Sequence, residues 1–304
     1  MKIAVLGPGG VGGLLAGALH RAGEQVTVVA REPTAEAIAE RGVRVSSVTL
    51  GDFTARPRAV AELGEPVDAL IVATKAAGLP QALRRIECAP ALVLPLLNGL
   101  DHVALLRERF AAGSVLAGTI RVEADRPAPG VVVHTSPFLL VEMATREAPA
   151  REPMQALAQA LTDAGVKARA DWPVGERSEA QVMWSKLVRL NALACTTSAY
   201  DKLLGEIRST PSLRADLQGA IAEACAVGQA EGADVDPQKA IGELERAHET
   251  LGSSMQRDIA AGRTPEIDAI PGSVLRAGKR HGIDCPTIER LVATILARIE
   301  SRAG

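Results

Sequence analysis

The hydrophobic pattern begins with an apolar run at residues 3–6 that enters a glycine cluster, GPGGVG. An alanine- and leucine-rich helical pattern follows, then a second apolar run at 26–30. This predicts strand, tight turn, helix, strand. Up to about residue 170, apolar runs go on alternating with helical patterns. Residues 43–48 predict a short strand. The continuous run VDALIVAT at 67–74 suits a parallel strand buried on both faces. Residues 79–86 and 101–110 read as helical. ALVLPLL at 91–97 predicts another buried strand, with Pro95 near its end or at a sheet edge. Residues 115–122, 131–135 and 138–143 predict three more strands, the first two separated by the loop signal DRPAPG. Their short links suggest an antiparallel extension.

After Trp172-Pro173 the pattern changes. Residues 174–299 carry almost no strand signal, and Thr-Pro, Asp-Pro and Cys-Pro pairs at 210–211, 236–237 and 285–286 punctuate Ala-, Leu-, Glu- and Arg-rich stretches. We therefore expect an α/β chain: a Rossmann-type doubly wound sheet over 1–172 and an all-helical domain over 173–304. With 304 residues the chain can bury two cores. A net charge of −2 and 2% aromatic content argue against nucleic-acid binding. No apolar run is long enough to span a bilayer, and the first strand starts at Lys2, so neither membrane insertion nor a signal peptide is expected. Cys88, Cys195, Cys225 and Cys285 lack metal-ligand spacing, and the scattered histidines form no ligand set. Reduced cysteines in a cytoplasmic protein are the simplest account.

The glycine cluster carries the clearest chemistry. Gly7, Gly9 and Gly12 fit G-x-G-x-x-G between a strand and a helix. In that setting the first glycine allows the turn, the second admits a pyrophosphate, and the third lets helix and strand pack closely. The loop Gly7, Pro8, Gly9, Gly10, Val11, Gly12 is thus the expected dinucleotide site, with helix N–H groups facing the phosphates. The second strand ends in Ala30-Arg31 instead of the acidic residue that holds an NAD ribose. A guanidinium there pairs with a 2′-phosphate and favours NADP(H); a solvated arginine beside Glu32 is the alternative. Lys75 and Asn98 follow buried strands, where an α/β sheet binds its ligands. A surface lysine and an Asn-Gly turn are the plainer readings. In the helical half, Lys186 interrupts an apolar region, as a proton donor or a snorkelling lysine. Ser253, Ser254 and Glu266 bind a polar substrate or cap helices. Arg257 and Asp258 read as solvated charges.

The order and spacing of these residues resemble the ketopantoate reductase (2-dehydropantoate 2-reductase) family over nearly the full length. The carriers are Gly7-x-Gly9-x-x-Gly12, Arg31, Lys75, Asn98-Gly99, Trp184-x-Lys186-Leu187, Gly205-Glu206-Ile207-Arg208, Ser253-Ser254-Met255, Asp258 and Glu266-Ile267-Asp268. The resemblance implies an NADPH-dependent reductase acting on the ketone of a small 2-oxo acid. It implies Lys186 as general acid and Glu266 holding the cofactor and orienting the site. Ser254 would bind the substrate carboxylate, Asn98 would contact cofactor and substrate, and Lys75 would lie near the nicotinamide. Helical second domains of this kind often dimerise, so a homodimer is expected. The chain departs from the family at Leu190, Ala194, Leu204 and Leu251, where the family has asparagines. A less hydroxylated substrate than ketopantoate then fits better, unless a one-residue register shift brings Asn191 to the substrate. A redox sensor that binds NADP without turnover and a 3-hydroxyacid dehydrogenase are the rivals.

Overall fold

Residues 3–6 are buried on both strand faces, and that double burial sets the architecture. In the computed structural model, which describes residues 1–303, the first strand β1 (Lys2–Leu6) pairs in parallel with β2 (Gln25–Val29) and β6 (Ala69–Val72). With β5 (Arg58–Val60) and β7 (Leu92–Pro95) they form an all-parallel sheet of order β5-β2-β1-β6-β7. Ile3 and Val5 face one core with α1 (Gly10–Arg21) and α5 (Arg151–Asp163). Ala4 and Leu6 face the other, with α3 (Leu79–Leu83) and α4 (His102–Arg109). Helices on both faces explain why these strands read as unbroken apolar runs. The order reverses between β1 and β6, a switch point at which such sheets bind ligands beyond the strand C-termini.

Two smaller sheets complete the first unit. One has the order β4 (Phe53–Ala55), β3 (Val43–Ser47), β10 (Val131–His134), β9 (Ala124–Ala128). The other runs β12 (Lys167–Arg169), β11 (Leu140–Ala144), β8 (Ala117–Arg121). This corrects two expectations. The three late strands do not form one antiparallel extension: β8 pairs antiparallel with β11, whereas β10 pairs in parallel with β3. The supposed loop DRPAPG is largely strand. β9 is an edge strand, and Pro127 lies between its paired residues Asp125 and Ala128, so the missing N–H breaks no ladder bond. The helix expected over 79–86 stops at Leu83, and Ile86 instead bridges to Leu63.

The helical part comprises α6 (Glu176–Tyr200), α7 (Leu204–Ser209), α8 (Pro211–Ala230), α9 (Pro237–Arg246), α10 (Ser254–Ala260), α11 (Pro271–His281) and α12 (Pro286–Ala303). Pro211, Pro237 and Pro286 each open a helix, where a missing N–H costs nothing. α2 (Glu32–Arg41) follows β2. No helix among the described residues is long and apolar enough to cross a membrane. By contacts the chain divides into two compact units: Met1–Leu97 with His102–Val182, and Asn98–Asp101 with the chain from Met183 onward. The short segment after β7 therefore clusters with the helices.

Within the first unit, Glu179 secures the opening turns of α6. Its carboxylate is buried and accepts from Arg107 Nη2 at 2.7 Å, Arg146 N–H at 2.8 Å and Arg146 Nε at 3.0 Å. Removing one partner of a buried ion pair leaves the other charge uncompensated. Glu179→Ala is expected to lower the unfolding free energy by about 3 kcal/mol, measured by urea titration; a change under about 0.5 kcal/mol, the range of neutral surface substitutions, would show the anchor to be dispensable.

Candidate active site

In the first unit the glycine turn lies at the switch point. Gly7 has φ +89°, and a Cβ there would come within 2.7 Å of Thr74 Cγ2, at the end of β6. Gly12 is the close approach: a Cβ would sit 2.2 Å from the Gly7 carbonyl oxygen. Gly9 is different, for a Cβ there would meet nothing within 4 Å, so its backbone is open to a ligand. Gly9 also caps α1 without a side-chain hydrogen bond, and no acidic residue stands in the first turn. Gly10, Val11 and Gly12 thus offer the first-turn N–H groups expected of an anion site. Thr74 was not anticipated. Its Oγ1 is buried beside this turn with no hydrogen-bond partner among the described residues.

Arg31 caps the start of α2 with extended backbone and is exposed. No acceptor among the described residues engages its guanidinium. Lys75 is exposed and leads into a short 3-10 turn after β6. Two shallow concavities lie elsewhere in this unit, on the outer face of β3, β4 and β10 and at the N-terminal ends of β1, β2 and β6.

In the second unit, Lys186, Asn98 and Glu266 form one hydrogen-bonded chain. Lys186 Nζ donates to Asn98 Oδ1 at 2.8 Å, and Asn98 Nδ2 donates to Glu266 Oε2 at 2.9 Å. Asn98 can do this because Gly99 takes φ +88° and passes so close to Ala269 that a Cβ would lie 2.0 Å from its carbonyl oxygen. A neutral amide therefore stands between an ammonium and a carboxylate, each partly exposed.

α6 presents Lys186 on a partly open stripe. Trp184 is buried, its indole 3.1 Å from where a Gly228 Cβ would lie, so it packs on α8. Two residues on, Lys186 points about 200° around the helix. Lys186, Leu190 and Leu193 recur at i, i+4 and i+7 and are all partly exposed. Asn191 is about 140° away from Lys186 and is 0% exposed. Its Oδ1 accepts from Cys195 Sγ at 3.6 Å, and its Nδ2 has no partner among the described residues. The structure thus puts Asn191 in the helical interior, apart from the Lys186 stripe. Of the other departures, Leu251 is partly exposed, while Ala194 and Leu204 are fully buried.

The serine pair divides its work. Ser253 caps α10 by accepting from Gln256 N–H at 3.0 Å and shares a 2.8 Å hydrogen bond with buried Thr197. Ser254 is exposed. Asp258, expected as a solvated charge, is instead buried and accepts from Arg263 Nε at 2.8 Å. All four cysteines are free. Burial pushes the Cys195 thiol up to about 12 and the Cys225 and Cys285 thiols up to about 11, so these three are not nucleophiles at neutral pH.

The fold and these groups define an α/β unit with a glycine turn at its switch point, joined in the chain to a helical unit with a lysine–asparagine–glutamate chain. Residues 3–143 match ketopantoate reductase PanE/ApbA, and residues 180–299 match its C-terminal part. The chain belongs to this family of oxidoreductases. It is 31% identical to a 2-dehydropantoate 2-reductase of Caulobacter vibrioides, over 97% of this chain and 98% of that one. It is 29% identical to the Bacillus subtilis oxidoreductase YkpB, over 97% and 98%. The structure of D-mandelate dehydrogenase with NADH and anilino(oxo)acetate is similar at a TM-score of 0.85 and 22% identity, covering 99% of both chains, which is a likeness of fold.

Ser253→Ala is expected to cost about 1 kcal/mol through the lost cap, whereas Ser254→Ala should stay within about 0.5 kcal/mol. Thermal unfolding of both variants checks this, and equal losses would contradict the assignment of the cap to Ser253.

Proposed function

We propose that the protein is an NADPH-dependent reductase of a 2-oxo acid whose side chain is less polar than that of ketopantoate. The observation that carries this reading is the chain Lys186–Asn98–Glu266. Such an arrangement holds an ammonium where a ketone oxygen gains charge. The open Gly9 backbone, the uncapped start of α1 and the unpartnered Thr74 hydroxyl fit a bound dinucleotide. Gly7, Pro8, Gly9, Gly10, Val11 and Gly12 would hold its pyrophosphate, Arg31 its 2′-phosphate, and Lys75 and Asn98 would lie toward its nicotinamide end. The D-mandelate dehydrogenase fold accommodates NADH, so the fold does not select NADPH; the exposed Arg31 supports that choice.

A bound reduced nicotinamide supplies the hydride that the carbonyl carbon accepts. Lys186 donates a hydrogen bond to the ketone oxygen and transfers its proton as negative charge grows there, leaving a hydroxyl and a neutral amine that solvent reprotonates. Asn98 Oδ1 holds the ammonium in place, and Glu266 holds the other end of the Asn98 amide and orients it. The exposed Ser254 hydroxyl receives the substrate carboxylate. Leu190 and Leu193 flank Lys186 on the open stripe, and buried Asn191 is not there to replace the polar groups. That supports a substrate without hydroxyls at these positions.

The test follows NADPH oxidation against a panel of 2-oxo acids that includes ketopantoate. An apolar 2-oxo acid should have the highest kcat/KM, and a large preference for ketopantoate would sink the substrate reading. Absence of turnover with every ketone, alongside tight NADPH binding, would replace the reductase by a sensor. Lys186→Ala should lower kcat by about 10²–10⁴-fold, read on the best substrate; an unchanged rate removes Lys186 from the mechanism. Arg31→Ala should weaken NADPH about 10–100-fold and NADH little, measured by fluorescence titration, and equal losses for both would refute the 2′-phosphate assignment.

A further inference from the structure

The Lys186–Asn98–Glu266 chain depends on two short segments that are far apart in sequence. Asn98 stands in the four-residue piece Asn98–Asp101, and Glu266 precedes α11 in an irregular stretch. Neither is held by regular secondary structure on the side that carries its polar group. The backbones come close where a Cβ on Gly99 would lie 2.0 Å from the Ala269 carbonyl oxygen, and the Glu266 and Ile267 carbonyls accept from Ile270 and Gly272 N–H at 2.9 Å. These backbone contacts act within or beside each segment, and a side chain that grips both segments adds a restraint on the Asn98–Glu266 geometry.

Arg276, in the second turn of α11, makes that restraint. Its Nη2 and Nε donate to Asp101 Oδ2 at 2.5 and 3.2 Å. Its Nη1 donates to Asp268 Oδ1 at 2.7 Å, and Nη2 also reaches the Asp268 carbonyl at 2.8 Å. Asp101 lies three residues beyond Asn98, and Asp268 two beyond Glu266. One rigid guanidinium thus ties both segments just past their functional side chains. Lysine could not reproduce this, because it lacks a planar fork. The carboxylates in turn hold the guanidinium in its charged form and push its pKa up.

We propose that Arg276 is a positioning residue for the reduction: by clamping Asp101 and Asp268 it fixes the Asn98 and Glu266 segments together and so holds Lys186 in its working position. It touches neither Lys186 nor the expected substrate. Its partners are largely exposed, with Asp101 at 49% and Asp268 at 91%, so its ion pairs contribute little to global stability. A purely structural role would therefore leave both stability and turnover nearly unchanged. A positioning role leaves stability unchanged and lowers turnover, since a displacement of about 1 Å at a reacting group costs about 100-fold.

The inference rests on Lys186 as proton donor, and the experiment separates the two. Arg276→Ala, Arg276→Lys, Lys186→Ala and the Lys186→Ala/Arg276→Ala double variant are assayed with the best 2-oxo acid of the panel. Arg276→Ala should lower kcat about 10–100-fold with the NADPH KM unchanged, guanidinium ion added to the assay should restore part of it, and Arg276→Lys should fall between. In the Lys186→Ala background the Arg276 substitution should cost nothing further, because both act on one proton transfer. A crystal structure of Arg276→Ala should show the Asn98–Glu266 distance beyond about 3.5 Å, outside hydrogen bonding. Turnover by Arg276→Ala equal to wild type, or full additivity in the double variant, would overturn the proposal while leaving Lys186 intact. Wild-type turnover by Lys186→Ala would instead overturn the reading of function, and the crystal distance would still decide whether Arg276 sets the Asn98–Glu266 geometry. If Arg276→Ala does not fold, Asp101→Asn with Asp268→Asn tests the same clamp.

Discussion

The amide of Asn98 stands between a lysine and a glutamate, accepting from one and donating to the other. An ammonium and a carboxylate in contact would form a salt bridge and spend their charges on each other. With Asn98 between them, Lys186 donates to a neutral amide oxygen. Glu266 accepts from the amide and fixes which way it faces. The amide must be presented at the right depth, and that requires Gly99 at φ +88° against the Ala269 carbonyl. No other residue type takes this backbone conformation without strain or fits the space. On the proposed reading, the Arg276 clamp and the placement of Lys186 on α6 serve the same three side chains.

The two units divide the chemistry by the kind of group each architecture supplies. A parallel sheet gives strand ends and an uncapped helix N-terminus, which together suit phosphates. Gly7 and Gly12 meet this need by opposite means, one through a left-handed backbone and the other by having no side chain where Gly7 passes. A helical unit supplies side chains at fixed angular intervals. α6 uses this to send Trp184 into the packing against α8 and Lys186 to the open side. One helix thus builds core and site from residues two positions apart.

Much of this was legible in the sequence where the signal is local and periodic. The run at residues 3–6, the glycine spacing and the change of pattern after Pro173 identify the parallel sheet, its turn and the helical half. Lys186 interrupts an apolar region and Asn98 ends an apolar strand, which made both candidates, and the structure joins them by a hydrogen bond. What was not legible depends on long-range pairing. β9 looks like a loop because its composition is that of a turn, and only its edge position makes Pro127 tolerable. Asn191 looked available because a residue's neighbours do not reveal which side of a buried helix is dry. Arg276 carried no signal, since its partners lie 175 and 8 residues away.

The departures from the family pattern acquire a physical meaning only with burial in hand. Four positions that the family gives to asparagine are apolar or small here, but they are not equivalent. Ala194 and Leu204 are fully enclosed, so an amide at either would need hydrogen-bond partners in the interior. Leu190 and Leu251 remain partly exposed, and only they can meet a ligand directly. The polarity of the open stripe is therefore set by Leu190 and Leu193, beside the ammonium of Lys186. A polar substrate group placed against those leucines would lose its water and gain no partner, while an apolar one would lose nothing. In the proposed reaction, selection against hydroxyls would then follow from desolvation alone, with the Lys186–Asn98–Glu266 chain unchanged.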